Sequence, residues 1–511
     1  MTTIYLHDLL KRVHISPTAG FVNPKIKSIT FNSKQIEKGT LFLGLCGSNI
    51  DGGIYWKDAI KNGAVAAIIS EEAWEITGLI ESKYVLVLKS PLNLIFGKLI
   101  SEFFDRPSSN LKLIGVTGTN GKTTVTFLLE YILDKLGKKV ALFGTLFSRW
   151  PGHKESSHYT TDFADKLQFK LFSALKSNVE FVVMEVSSHS ISQGRIAGCE
   201  FDAAIFTNLS QDHLDYHSDM KSYFHTKMSL FKHPYLSSKE GFSVINIDDN
   251  WGKELLNNLK SEALIVSSQD SDSKSNNKNY FFVTDKVFTS SGTHCLFHTP
   301  NEKIQLFIPL VGEFNLMNAL QSIITLFNLG FPLRDICNAI KTFPGVPGRM
   351  EIIRISEENN RNVLPDVIVD YAHTPDGLSK VLESLKVFSK GKIITVFGCG
   401  GDRDIKKRAL MGSIAEIKSD FIFVTSDNPR TEKPEKIVGD ILSGIRNKEK
   451  VIIEFNRSKS IQKAINMAKV NDIVLIAGKG HEDYQILKNK TIKFDDREVA
   501  KYFLNEKIKN I

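Results

Sequence analysis

What the sequence lacks removes several classes of protein. No run of residues is apolar for long enough to cross a bilayer, which takes about 20 residues. The N-terminus, Met-Thr-Thr-Ile-Tyr-Leu-His-Asp-Leu-Leu, has no basic-then-apolar layout, so no secretory signal is expected. Cysteine is scarce. The five in 511 residues (Cys46, Cys199, Cys295, Cys337, Cys399) are dispersed, odd in number and without metal-ligand spacing. They read as reduced thiols of a cytoplasmic protein. Long runs of one charge sign are also missing: the net charge of +8, from 65 basic and 57 acidic residues, is thinly spread. Nucleic-acid binding asks for a clustered basic stripe, so neither nucleic acid nor membrane is expected as a partner. No internal repeat is visible.

What is present suits packed cores. Hydrophobic residues make up 42% of the chain, and its length allows roughly three domains. One stretch stands out: Leu111-Lys-Leu-Ile-Gly-Val-Thr-Gly-Thr-Asn-Gly-Lys-Thr-Thr124, followed by Val125 to Leu136 with apolar residues at helical spacing. A buried strand, a glycine turn and a helix opening on Gly121-Lys122-Thr123 make a phosphate cradle. Backbone N–H groups and the helix N-terminus face the anion, Lys122 reaches the outer phosphates and Thr123 suits Mg²⁺. Val116 stands where the usual loop has its first glycine, and Gly118 interrupts the loop instead. That spacing departs from ordinary GTPases and kinases.

Residues 1–106 read as a small α/β module with strands at Ala64–Ile69 and Tyr84–Leu88 and a helix at Leu92–Phe104. Arg106-Pro-Ser-Ser-Asn110 reads as a linker. Residues 107–343 carry the nucleotide core. Phe181–Val186 is a buried strand ending in Ser187-Ser-His-Ser, and Glu185 inside it is costly to bury without a cation or a proton. Ala203–Thr207 is another strand, running into Asn208-Leu-Ser-Gln-Asp-His-Leu-Asp-Tyr-His217. Two acids and two histidines there, in a chain with a phosphate loop, suggest metal or phosphate chemistry; a capped helix with polar surface is the plainer alternative. Composition alone makes Lys227 a solvated lysine. Ser267–Lys278, rich in Ser, Asp, Asn and Lys, reads as a surface loop, and residues 279–311 as antiparallel strands.

Residues 344–511 alternate strands and helices, the pattern of a doubly wound sheet. Several strands end in polar clusters: Asp370 to His373, Gly398 to Asp404, Ser426 to Arg430 and Gly478 to Asp483. Ligands gather at the carboxyl ends of parallel strands, so four such clusters imply a second binding face.

Taken together, Gly115-Val-Thr-Gly-Thr-Asn-Gly-Lys-Thr-Thr124, Met184-Glu-Val-Ser-Ser-His189, Thr207 to His217, Gly398-Cys-Gly-Gly-Asp-Arg-Asp404 and Asp427-Asn-Pro-Arg430 resemble the Mur ligases. These are ATP-dependent amide ligases of peptidoglycan precursor synthesis. The motifs look most like those of the members that add the third stem-peptide residue. The resemblance spans almost the whole chain and implies three α/β domains. In order these are a UDP-binding module, a central phosphate-loop ATPase domain and a Rossmann-like domain for the incoming amino acid. It implies a cytoplasmic monomer whose co-substrates are ATP, a UDP-N-acetylmuramoyl dipeptide and a diamino acid, with two Mg²⁺ ions.

Roles follow by position. Gly118, Thr119, Asn120, Gly121, Lys122, Thr123 and Thr124 would hold the ATP phosphates, with Asn315, Asn318, Arg349, Asp370 and His373 around the rest of the nucleotide. Ser33 and Lys34 would contact the UDP part, although the family often shows Asp-Ser-Arg where this chain has Asn32-Ser33-Lys34. Thr160, Thr161, Ser187, Gln193 and Arg195 would hold the dipeptide. Thr123, Glu185 and His213 would serve Mg²⁺, joined by Lys227, which matches a lysine that relatives carry as a carbamate. Arg403, Asp427, Asn428, Arg430, Gly478 and Glu482 match the amino-acid pocket. Asp427-Asn-Pro-Arg430 resembles the motif of ligases selective for meso-diaminopimelate; L-lysine and L-ornithine are the alternatives. A folylpolyglutamate synthase shares the ligase core, but the 1–106 module and the Asp427 cluster argue against it. A nucleotide switch would leave the second binding face without a purpose.

Overall fold

A strand that is apolar on both faces belongs in the middle of a parallel sheet, and Lys112–Thr117 lies there. The computed structural model describes residues 3–47, 50–78, 82–236, 239–259, 262–269, 278–289, 291–355, 363–488 and 490–509. Most of the expected loop at Ser267–Lys278 lies outside them. Lys112–Thr117 is flanked in parallel by Phe181–Glu185 and Ala203–Phe206 in an 11-stranded sheet. Val140–Phe143 extends the sheet one way, Phe242–Asn246 and Ala263–Val266 the other, all parallel. Antiparallel strands finish both edges, including the expected run of Tyr280–Thr289, Gly292–His298 and Lys303–Ile308. Thr117, Glu185 and Phe206 therefore end at one edge, where the phosphate loop and the acidic and histidine-rich segments emerge.

Helices cover both faces. On one, Phe127, Leu128 and Ile132 of the Lys122–Lys135 helix share a core with Leu316, Leu320 and Ile323 of the Glu313–Asn328 helix. On the other, Leu167 and Leu171 of Ala164–Lys176 pack with Ile191, Tyr223 and Phe224. Before this sheet stands a four-stranded parallel one, Ser28–Thr30, Thr40–Leu43, Ala66–Ser70 and Val85–Leu88, packed against the Asn93–Phe103 helix. The expected linker is not loose. Pro107–Asn110 is a 3₁₀ turn with Pro107 and Ser108 buried, and the Ser108 carbonyl accepts from Lys239 Nζ. Its proline and serines suit a tight turn as well as a flexible tether.

The third sheet has the order Glu351–Ile352, Asp366–Asp370, Ile473–Ala477, Ile393–Phe397, Phe421–Val424, Val451–Ile453, parallel except for the first pair. Ile473–Ala477, the last strand of this sheet in the chain, inserts between the first two long ones. That places the loops after Asp370, Ala477, Phe397 and Val424 side by side. The short Glu351–Ile352 strand and the Tyr484–Leu487/Lys490–Lys493 hairpin carry no long apolar run to announce them. Behind the sheet, Arg457 and Asp496 are both fully buried and meet through two hydrogen bonds of 2.7 Å, while Arg457 Nη2 also donates to the Ala477 carbonyl at 3.0 Å. This pair ties the Arg457–Met467 and Asp496–Lys509 helices to the end of the Ile473–Ala477 strand. Among the described residues no helix is long and apolar enough to cross a membrane. Asp496→Ala leaves a buried guanidinium without its partner and is expected to cost about 3–5 kcal/mol of stability, read from the denaturant midpoint.

Candidate functional site

The loop after Lys112–Thr117 is held open from outside. Gly118 and Gly121 have φ of +146° and +89°. A Cβ on Gly118 would lie 1.9 Å from Thr207 Oγ1, and one on Gly121 would lie 2.4 Å from Asn318 Oδ1, so both positions require glycine. Thr207 Oγ1 and Asn208 Nδ2 donate to the Asn120 carbonyl at 2.6 and 3.1 Å. Asn208 in turn accepts from the N–H groups of Thr119 and Asn120 at 2.9 and 3.0 Å. Sequence reasoning placed Thr207 and Asn208 in a motif without seeing that they grip the loop. The helix starting at Lys122 has no side-chain cap on its first N–H groups, which leaves an anion-binding end. Lys122 Nζ donates to the Gly118 and Thr119 carbonyls at 2.9 and 2.8 Å. Burial lowers its pKa, Glu185 and Asp212 oppose that shift, and Arg349 adds to it. Thr124 is buried in the same first turn.

Glu185, 1% exposed, ends its strand beside this turn. Thr123 Oγ1 donates to Glu185 Oε1 at 3.1 Å. The Thr145 N–H and hydroxyl donate to the two carboxylate oxygens at 2.9 and 3.0 Å. Thr145, which follows the Val140–Phe143 strand, was not among the expected residues; its position after a strand was the available signal. Hydroxyl and carboxylate oxygens are the donors that Mg²⁺ takes, so Thr123 and Glu185 fit such an ion. Among the described residues no three His, Cys, Asp or Glu side chains are grouped to hold a metal alone.

Lys227 is not solvated: it is 1% exposed on the Met220–Met228 helix. Its ammonium reaches the Gly118 carbonyl at 2.9 Å and lies 4.8 Å from the Tyr223 ring centre. Burial drives its pKa well below the ordinary lysine value, Lys122 lowers it further, and Asp212 opposes. The Tyr223 hydroxyl sits 3.2 Å from Thr119 Oγ1, so one unpredicted side chain touches both loop and lysine. His213 is partly covered, with 43% of its side chain exposed, φ +54° and its ring 4.8 Å from that of His189. Burial lowers the pKa of His213, and it pushes His189 down to about 4.

The residues expected around the dipeptide meet at Thr161, whose carbonyl accepts from Arg195 Nη1 at 2.9 Å and whose hydroxyl accepts from the Ser187 N–H at 3.2 Å. Thr161 Oγ1 donates to the Glu185 carbonyl at 2.8 Å, and Thr160 lies 3.2 Å from the Thr145 hydroxyl. The Ser187 hydroxyl caps the short Ser188–Ser192 helix. Gln193 and Arg195 hold each other: Gln193 Oε1 accepts from Arg195 Nε and Nη2 at 2.9 and 2.6 Å. The guanidinium also covers Tyr159 and Phe163 at 4.8 and 4.1 Å. Ser33 and Lys34 stand apart, in an exposed turn where the Lys34 N–H bonds to Asn32 Oδ1 at 3.0 Å.

The C-terminal sheet turns its strand ends toward the loop. Asn120 Nδ2 donates to Asp376 Oδ2 at 3.1 Å. Arg349 stacks on Tyr371 at 4.3 Å, with its Nε buried and unpaired among the described residues. The Asp370 carboxylate accepts the N–H groups of Met350 and Ala372, each at 2.7 Å, and burial raises its pKa. His373 Nδ1 lies 2.9 Å from the Tyr371 carbonyl. Asn315 and Asn318 are buried, 3.4 Å apart, on the Glu313–Asn328 helix. A hollow of about 350 Å³ opens between that helix and the Pro375–Phe388 helix, lined by Asn208, Asp249, Met317, Asn318, Lys380 and Ser384. A larger hollow of about 950 Å³, against Phe127, Tyr131, Trp150 and Pro344, contains none of the expected residues.

The remaining cluster gathers at the neighbouring strand ends. Asn428 Nδ2 donates to Glu482 Oε2 at 2.9 Å. Gly478 has φ +114°, and a Cβ there would lie 2.8 Å from Asp427 Oδ2. Arg430, at φ +50°, spends Nη1 on the Gly401 carbonyl at 2.8 Å, and Arg403 is exposed.

With the geometry in place, the comparisons are specific. Models of the Mur ligase family, catalytic domain, the Mur ligase middle domain and the Mur ligase, glutamate ligase domain match residues 25–93, 116–326 and 348–480. The chain belongs to the Mur ligase family. It is 59% identical over 510 residues, and over all of both chains, to the UDP-N-acetylmuramoyl-L-alanyl-D-glutamate–2,6-diaminopimelate ligase of Prochlorococcus marinus subsp. pastoris. A solved structure bearing the same enzyme name matches with a TM-score of 0.70 and 30% identity over 99% of each chain. A folylpolyglutamate synthase of Mycobacterium tuberculosis shares the fold over 75% of this chain and 92% of its own, with a TM-score of 0.59 and 17% identity.

His481 ties the two halves of the C-terminal cluster together and makes them acid-sensitive. Its ring lies 5.1 Å from that of Tyr371, its Nδ1 is buried without a partner among the described residues, and burial pushes its pKa down to about 3. Between about pH 6.5 and that value the unfolded chain binds a proton that the folded one refuses, so stability falls as pH is lowered. In denaturant unfolding from pH 7 to pH 5, the wild type is expected to lose stability relative to His481→Gln.

Proposed function

We propose that this chain joins 2,6-diaminopimelate to UDP-N-acetylmuramoyl-L-alanyl-D-glutamate at the expense of ATP, releasing ADP and phosphate. The observation that carries the reading is the meeting of two domains. A gripped phosphate loop on one faces Arg349, His373 and Asp376 of the other, and a pocket of acids and arginines opens from the same sheet edge. We take the domains to divide at 106/107 and 343/344, and the enzyme to work as a cytoplasmic monomer.

In this reading the dipeptide carboxylate takes the outer phosphoryl group of ATP, giving an acyl phosphate. The amine then attacks the carbonyl carbon and phosphate leaves. Such chemistry needs positioning and charge neutralisation more than a protein nucleophile. Lys122 and the uncapped N–H groups at the start of its helix neutralise and orient the phosphates. Asn318 borders the 350 Å³ hollow, with Asn315 beside it on the helix, and the hollow has the size and place for the nucleoside. Arg349, with Asp370 and His373 beside it, faces the phosphate loop from the C-terminal domain. Thr160, Thr161, Ser187 and the Gln193–Arg195 pair present the dipeptide, with Ser33 and Lys34 toward its UDP end. A closed arrangement keeps water from the acyl phosphate.

Magnesium, held by Thr123 and Glu185 with His213 and a carbamylated Lys227, would supply charge stabilisation to the transferring group. Lys227 is suited to the modification because its buried amine is readily uncharged, and only a free amine captures CO₂. Lys227→Ala is expected to abolish ligation, and added short-chain carboxylate to restore part of it; no rescue at any concentration counts against the carbamate.

For the amino acid, Arg430 keeps donors beyond the one used on Gly401, and a guanidinium pairs a far-end carboxylate through parallel hydrogen bonds. Lysine and ornithine lack that group, and an unpartnered arginine is costly to leave behind. A competition among diaminopimelate, L-lysine and L-ornithine, with ATP and the UDP-muramoyl dipeptide supplied, is expected to give the diaminopimelate product. A preference for either plain diamine overturns the substrate while leaving the ligase.

A further inference from the structure

One cation at the amino-acid pocket has no place in these roles. Lys479 follows Gly478 and is 0% exposed, the most thoroughly buried charged group of the cluster. Its Nζ donates to Glu482 Oε2 at 2.9 Å and to Asn428 Oδ1 at 3.4 Å. Asn428 Nδ2 donates to the same Glu482 oxygen at 2.9 Å, closing a triangle across two loops. The orientation of the amide is fixed, because Asn428 Oδ1 also accepts the Ile486 N–H at 2.9 Å. The Tyr484 ring centre lies 5.4 Å from the ammonium. Glu482 Oε2 thus has two donors, while no donor among the described residues reaches Oε1.

An ammonium is buried at this expense only where its charge is matched. Here it is matched by Glu482, and the match changes what the pocket offers a substrate. With Lys479 in place, Glu482 contributes one open acceptor and no net charge. Asp427 is then the remaining acid of the cluster, whose other charged groups are the guanidiniums of Arg403 and Arg430, the latter held on the Gly401 carbonyl. The buried Arg457–Asp496 pair behind the sheet is neutral in itself. A pocket with this balance favours a far end bearing both an amine and a carboxylate over one bearing an amine alone.

We propose that Lys479 is a positioning residue for substrate choice: by holding and neutralising Glu482, it biases the pocket against plain diamines. The proposal rests on the reading of this cluster as the amino-acid site. Removing the ammonium frees a second carboxylate and should make lysine a better substrate as diaminopimelate becomes a poorer one.

The test uses the full-length enzyme with saturating ATP and UDP-muramoyl dipeptide, comparing diaminopimelate with L-lysine. Lys479→Met is expected to raise KM for diaminopimelate about tenfold or more, with a smaller change in kcat. That is the scale of one lost charge-assisted contact. The diaminopimelate-to-lysine ratio of kcat/KM should fall by a similar factor, while KM for ATP stays put. Lys479→Arg should restore most of the ratio. Lys479→Gln keeps a donor without the charge, and so reports on discrimination even where the methionine variant folds poorly; its ratio should also fall. An unchanged ratio in Lys479→Gln overturns the proposal, as does a uniform loss in which every KM and kcat worsens together. A wild-type enzyme that forms no amide with diaminopimelate overturns the pocket reading beneath it instead.

Discussion

A backbone loop binds an anion only if its N–H groups are kept from collapsing onto their own carbonyls, and here two side chains do that. Thr207 and Asn208, following the next strand of the sheet, take up the Asn120 carbonyl. Asn208 also binds the N–H groups of Thr119 and Asn120, which leaves the uncapped start of the Lys122 helix open. Gly118 and Gly121 exist as glycines because Thr207 and Asn318 occupy the space a Cβ would need. Everything at this edge depends on that close approach. Glu185 meets Thr123 only because its strand is in register with the loop strand, Glu185 opposite Val116. A one-residue slip would turn the carboxylate to the other face of the sheet.

The C-terminal pocket is built by topology rather than by any local motif. Its four loops come from strands whose order in space differs from their order in the chain, with Ile473–Ala477 wedged between Asp366–Asp370 and Ile393–Phe397. The wedge carries Lys479 and Glu482 into contact with Asn428, and Gly478 against Asp427, both in the loop after the Phe421–Val424 strand. The Arg457–Asp496 pair fixes the root of this wedge through the Ala477 carbonyl. Stability and the geometry of the pocket therefore share a strand.

Much of this was legible in the chain because parallel strands buried on both faces read as continuous apolar runs, and Ala164–Lys176 shows its helical period plainly. Glu185 was conspicuous for the same reason, as the one acid in such a run. Lys227 was not: a lysine in a polar helix looks solvated, and only the packing of Tyr223 and the loop carbonyl around it says otherwise. The pairing of Gln193 with Arg195 was equally invisible, since residue type shows capacity for hydrogen bonding and not which partner takes it. Thr145 and Lys479 escaped for a related reason. Each is ordinary by composition and gains meaning from a carboxylate that the fold brings to it.

The Asn120–Asp376 hydrogen bond has an energetic corollary. Asn120 belongs to the phosphate loop, and Asp376 lies in the first turn of the Pro375–Phe388 helix on the other domain. Whatever occupies the loop thus acts on a group that also feels how the C-terminal domain is docked. If docking tightens nucleotide binding by some factor, nucleotide must favour docking by the same factor. The loop and the docked position of the C-terminal domain are then a thermodynamically linked pair, joined through one hydrogen bond.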